Sequence, residues 1–169
     1  DATEAETLLL DVTQTRNSDF DATSGVAKLV TQVTYSDNLM GSIIGVKTIK
    51  NESIVSNGNV GKVTVTNFKS ASVSLVDGAI TTTGELYQDV ITNVSFDDWG
   101  NATVENIITK NWKTSAFTEF ASARKIENTS FDVYNRMMTS TVTNYTLEAM
   151  TVVSDKQNII VDATAGYNE

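Results

Sequence analysis

A short phrase returns along this chain at nearly even intervals, and no other feature limits the possible folds so strongly. It reads apolar-x-Asn-x-Ser-aromatic at Ile91-Thr92-Asn93-Val94-Ser95-Phe96 and Ile126-Glu127-Asn128-Thr129-Ser130-Phe131. Ile49-Lys50-Asn51-Glu52-Ser53-Ile54 keeps all but the aromatic, and Thr15-Arg16-Asn17-Ser18-Asp19-Phe20 has Thr and Asp at the apolar and Ser places. Gly166-Tyr167 is a weaker fifth arrival. Anchored on Phe20, Ile54, Phe96, Phe131 and Tyr167, the spacings are 34, 42, 35 and 36 residues. A period of this size marks a stack of supersecondary units, each of which buries its apolar side only against its neighbours.

The residues after each anchor read as a tight reversal. Gly25, Gly58, Gly100 and Asn135 fall where a hairpin needs positive φ, which Gly accepts freely and Asn with modest strain. The first copy has one residue more before its Gly and suits a bulged three-residue turn. Strand-like runs follow at 28–35, 62–68, 103–112 and 137–145, each closing on a polar residue and then an aromatic: Thr34-Tyr35, Asn67-Phe68, Asn111-Trp112 and Asn144-Tyr145. A variable link and a return strand lead to the next phrase. In the 42-residue copy the stretch 73–80 reads as an inserted hairpin with an Asp77-Gly78 turn. The expectation is an all-β fold of three-segment repeats about 35 residues long, stacked into an elongated sheet, sandwich or solenoid-like body. One continuous array fills residues 1–169: a partial repeat at 1–15, repeats at 16–49, 50–91, 92–126 and 127–162, and the start of another at 163–169. Both ends fall inside a period, as in an excerpt from a longer array or a subunit that completes its sheet with a neighbour.

Composition supports this and removes much chemistry. The 25 Thr, with abundant Ser and Asn, suit half-exposed strands and side-chain-bonded turns. Cys, His and Pro are absent. Disulfides, thiolate nucleophiles and imidazole bases are therefore excluded, and every backbone N–H is free to join a ladder. A net charge of −9 opposes binding to nucleic acid and to anionic membrane surfaces. No apolar run is long enough to span a bilayer as a helix.

At Phe96-Asp97-Asp98-Trp99-Gly100-Asn101 and Phe131-Asp132-Val133-Tyr134-Asn135-Arg136 the sequence resembles the tyrosine-aspartate (YD) repeats of bacterial Rhs and toxin-complex shell proteins. Phe replaces the family's Tyr in both, Asn135 replaces Gly in the second, and the copies at Phe20 and Ile54 are degenerate. The resemblance implies hairpins laid side by side into a long sheet, in some members curled around a toxic cargo, within very large bacterial surface proteins.

Three groups of residues carry alternative readings. Asp19, Asp21, Asp97, Asp98 and Asp132 are read as turn caps that bond their own backbone; as Ca²⁺ ligands they would need a denser acidic run. Their repetition argues against catalysis, because an active site is unique while turn chemistry recurs. Asn51, Asn93, Asn101, Asn128 and Asn144 begin sequons, in numbers that the composition nearly supplies by itself, and leave glycans as possible partners. Trp99, Tyr134, Tyr35, Phe68, Trp112 and Tyr145 are expected to brace strand ends, with a carbohydrate ladder as the alternative. No catalytic, cofactor or metal residue is assigned. The function expected is mechanical: a repeat segment of an extracellular or cell-surface fibre, spacer or adhesin, neither an enzyme nor dependent on a cofactor. It would associate end to end, or with adjoining repeats, through return strands at Leu8-Leu9-Leu10 and Ile159-Ile160-Val161. The alternatives are a carbohydrate- or protein-binding module and a fragment of a toxin-encapsulating shell.

Overall fold

The computed structural model describes residues 11–36 and 40–161. These form nine strands: β1 (Val12–Phe20), β2 (Ala27–Tyr35), β3 (Ile43–Ile54), β4 (Val60–Val73), β5 (Ile80–Phe96), β6 (Ala102–Lys113), β7 (Ala116–Phe131), β8 (Met137–Tyr145) and β9 (Val153–Ile160). They build one open sheet in the order β1-β2-β3-β4-β5-β6-β7-β8-β9, every neighbour antiparallel. The Leu8–Leu10 segment and Tyr167 lie outside the described residues.

The four described anchors close alternate strands: Phe20, Ile54, Phe96 and Phe131 are the last residues of β1, β3, β5 and β7. Each return segment runs on into the next phrase as a single strand, because no Gly-rich or Asn-rich break separates them. The 17-residue β5 is the longest result. One period of sequence is thus one two-strand hairpin, and the phrase marks the end where the hairpin turns.

Three of these turns share one loop. The Gly58, Gly100 and Asn135 amides donate to the carbonyls of Val55, Asp97 and Asp132, and the amides of those residues donate to the carbonyls of Asn59, Asn101 and Arg136. This is a three-residue hairpin loop that ends on a left-handed residue, with φ of 88°, 89° and 61° at Gly58, Gly100 and Asn135. The extra residue of the first copy changes the loop. There the Asp21 amide donates to Val26 and the Gly25 amide to Asp21, so the loop has four residues instead of the bulged three.

At the opposite end the polar-aromatic pairs mark where the ladders slip. Register shifts fall between Thr34 and Tyr35, Asn67 and Phe68, Asn111 and Trp112, and Asn144 and Tyr145. Each leaves one unpaired residue on the following strand: Ile44, Leu86, Thr118 and Ser154. A bulge of this kind bends a strand and raises its twist. In the β4–β5 pair it has the largest consequence. Beyond Phe68 that hairpin continues from Ser70↔Thr83 to Val73↔Ile80 and turns back over the sheet. Ala71, Val73 and Ile80 pack on Val33, Tyr35 and Val46, all three buried. At the tip, the Arg16 Nη1 donates to the Asp77 carbonyl at 2.8 Å, reaching β1. Gly84, beside the bulge, takes φ 73°, and a Cβ there would meet Lys69 Cβ at 3.1 Å. Glycine makes the bend possible; a lone Gly inside a strand pattern is the signal that marks it.

From β6 onward burial is confined to single positions, Ile107, Ala123, Ser140 and Thr143, the β8–β9 loop reaches back to β6 through the Lys110–Glu148 ion pair, and β9 is exposed along its whole length.

Candidate functional site

The most repetitive chemistry lies along the edge where the hairpins turn. Within each hairpin the ladder continues to the anchor, but between consecutive hairpins it stops earlier. The β2–β3 ladder ends at Leu29↔Lys50, β4–β5 at Lys62↔Thr92 and β6–β7 at Val104↔Glu127. The next residue on the first strand of the new hairpin is in each case the Asn of the phrase. Its side chain replaces the missing rung: Asn51 Nδ2 donates to the Ala27 carbonyl at 2.8 Å, Asn93 Nδ2 to Val60 at 2.7 Å and Asn128 Nδ2 to Ala102 at 2.9 Å. Every acceptor belongs to the first residue of a strand and sits two residues past the last rung. The pattern ends at β9, where Val161 follows the last rung Thr139↔Ile160 and its own amide donates to the Met138 carbonyl.

This bond was not foreseen from the sequence, where these asparagines were weighed as glycan acceptors. The nitrogen a glycan would occupy is the donor in all three. Asn101 Nδ2 is likewise turned inward, to Asp97 Oδ2 at 2.8 Å and Asn135 Oδ1 at 3.4 Å. The repeated Asn at one phase of the period was the available signal.

Past the stitches the hairpins splay and leave clefts. One of about 670 Å³ lies between the last two hairpins, lined by Asp97, Trp99, Asn128, Phe131, Asp132 and Asn135 among others. The equivalent cleft between the first two, about 550 Å³, is lined by Asp21, Lys28, Asn51, Glu52, Ser53 and Ile54 among others. At the middle junction the turns meet: a Cβ on Gly100 would stand 2.8 Å from Asn59 Oδ1.

Most polar groups in these clefts serve their own turns. Asp97 Oδ1 accepts from the Trp99 and Asn101 amides. Asp132 Oδ1 accepts from the Tyr134 and Arg136 amides, and its Oδ2 from Arg136 Nε at 2.7 Å. Asp21 Oδ1 takes the Thr23 and Ser24 amides and the Ser24 hydroxyl. The Ser24 amide and hydroxyl hold the Asp21 carboxyl below the ordinary range, and the Arg136 amide does so for Asp132. For Asp97, partial burial pushes upward, but the bonds from Asn101, Trp99 and Gly100 outweigh it and the pKa is lowered. Among the described residues one carboxylate moves the other way: burial raises Glu105, and the nearby Arg124 offsets only part of that. No grouping of three or more Asp and Glu able to hold a metal occurs among the described residues.

The six aromatics divide by location, Tyr145 being half-buried at the end of β8. Tyr35 is buried, Phe68 packs on its cluster, and Trp112 meets Phe117 edge-on at 4.9 Å. Trp99 and Tyr134, expected to brace strand ends, instead sit on turns and are 77% and 75% exposed. Arg136 lies 5.2 Å from the Tyr134 ring centroid. No protein-family model, curated protein or solved structure matches this chain.

Proposed function

We propose that this chain is a structural repeat segment of an extracellular or cell-surface fibre, spacer or adhesin, and that its work is mechanical instead of catalytic. The observation that carries the reading is the threefold Asn stitch, one geometry joining each hairpin to the next. A device that repeats with the period serves extension, since each added hairpin lengthens the ribbon by two strand spacings, roughly 10 Å. Capped Asp turns and bulges at matching positions support the same reading, as does the likeness to degenerate YD repeats. The test is electron microscopy of the native protein with gold-labelled antibody against this chain. Label on thin extracellular structures is expected; label confined to the cytoplasm would overturn it.

A second reading, carbohydrate binding, is favoured by one observation. Trp99 and Tyr134 stand exposed on adjacent turns beside the 670 Å³ cleft, and aromatic faces stack on sugar rings. Titration with soluble oligosaccharides, followed by Trp fluorescence, tests it. A saturable change lost in Trp99→Ala would support it, and a flat titration would end it.

A further inference from the structure

We propose that the outer edge of β1 is a docking site for the second strand of another hairpin of this repeat type, with Asn17 as its anchoring donor. The proposal rests on the repeat reading above and adds the partner strand and the bond that selects it.

Three junctions inside the molecule share a rule. The first strand of a hairpin holds the second strand of the hairpin before it, and the Asn three residues before the anchor donates to the carbonyl of that second strand's first residue. Asn17 stands three residues before Phe20, as Asn51, Asn93 and Asn128 stand before Ile54, Phe96 and Phe131. Its backbone pairs with Val30 on the β2 side. On the other side no described strand covers β1. Asn17 is exposed and makes no side-chain hydrogen bond among the described residues. The donor is in place without its carbonyl.

The two edges of the described sheet are not alike. β1 and β9 are both first strands of a hairpin, because nine strands are paired among the described residues. Only β1 turns its stitching side outward; β9 spends that side on β8. Laying β9 of one copy against β1 of another would join two first strands, and no second-strand start would reach Asn17. The occupant is therefore a second strand, presented antiparallel with its first carbonyl at Asn17. Exposed edges accept such strands through main-chain bonds, and side chains set the register. β6 is the closest mimic, being the strand whose Ala102 carbonyl Asn128 already holds.

The experiment adds a labelled peptide of sequence Ala102–Lys113 to the intact protein. Fluorescence polarisation reads binding, and amide hydrogen exchange reads its location. Saturable binding is expected, with exchange slowed over Val12–Phe20 and unchanged over Val153–Ile160. Asn17→Ala should weaken binding roughly three- to tenfold, the loss of one net hydrogen bond, and its unchanged melting temperature shows that the fold is intact. A peptide of sequence Val153–Ile160, a first strand, should not slow exchange at β1. Absent binding, binding indifferent to Asn17→Ala, or protection on β9 would each overturn the proposal. None of these would touch the spacer reading, which stands or falls on where the native protein is labelled.

Discussion

The two halves of this sheet obey one repeat and bury their residues differently. In β1–β5 the buried cluster Val33, Tyr35 and Val46 lies under a folded-over hairpin; in β6–β9 the buried positions Ile107, Ala123, Ser140 and Thr143 lie under no such hairpin, and the last strand is fully exposed. The stitches, turns and bulges are common to both. What differs is the 42-residue copy, whose insertion supplies the cover. A repeat sheet of this kind needs only local bonding to propagate, and a hydrophobic core is added where one unit is long enough to bend back.

Tyr35 and Tyr145 occupy the same repeat position, one beneath the cover and one beyond it, and should separate the halves most widely. Tyr35 is 5% exposed and also reaches Gln14 Oε1 at 3.4 Å. Tyr35→Ala should cost roughly 3–5 kcal/mol, as for other large buried aromatics. Tyr145→Ala, at a half-buried site, should cost less than half of that. Urea unfolding of the two variants checks this, and equal losses would mean that the second half also has a core.

The stitch that joins the second hairpin to the third is the next largest effect. Asn93→Ala leaves the Val60 carbonyl without its donor in a part-buried place, at a cost of about 1–3 kcal/mol. Asn17→Ala, the same substitution at an exposed and unbonded site, should leave unfolding unchanged.

Much of this design was readable beforehand. The phrase marked the turning ends, a bulge fell at every polar-aromatic pair, and Asp77-Gly78 signalled the inserted hairpin. Its direction was not readable, because the Arg16 bond to Asp77 spans 61 residues and no local pattern encodes it. The choice between sheet and sandwich was equally hidden. Thr, Asn and Lys occur on both faces of most strands, so the alternation that would name a buried side is weak. The stitch escaped notice because an Asn in a sequon and an Asn replacing a rung look identical in sequence.

Glycine substitutions sharpen the comparison at smaller scale. Gly84→Ala and Gly100→Ala each force a side chain into left-handed backbone, at roughly 1–2 kcal/mol. Only Gly84 controls the fold-back. Amide hydrogen exchange over Ala71–Val73 and at Ile80, which pack on the buried cluster, should therefore speed up in Gly84→Ala and stay unchanged in Gly100→Ala.

Acid should give the smallest effect, and the turn carboxylates should contribute to it alike in both halves. Each half has two carboxylates held low by their turns: Asp21 and Asp77 in the first, Asp97 and Asp132 in the second. For Asp77 the Ser74 hydroxyl is the main cause, followed by the Ala79 amide. A carboxylate with a lowered folded pKa stabilises fully above its unfolded value, near 4, and loses that contribution as pH falls through the lower folded value. The melting temperature should therefore stay level from pH 7 to about 5 and decline below about 4. Exposure and salt keep the change small. Asp77→Asn and Asp132→Asn should each flatten the acid limb by a similar amount, whereas a limb governed by one of them alone would show that the turns are not equivalent. Because these oxygens are bonded to their own turns, a chelator should leave the melting temperature unmoved at neutral pH. A drop restored by Ca²⁺ would turn the acidic edge from a row of caps into a row of ligands.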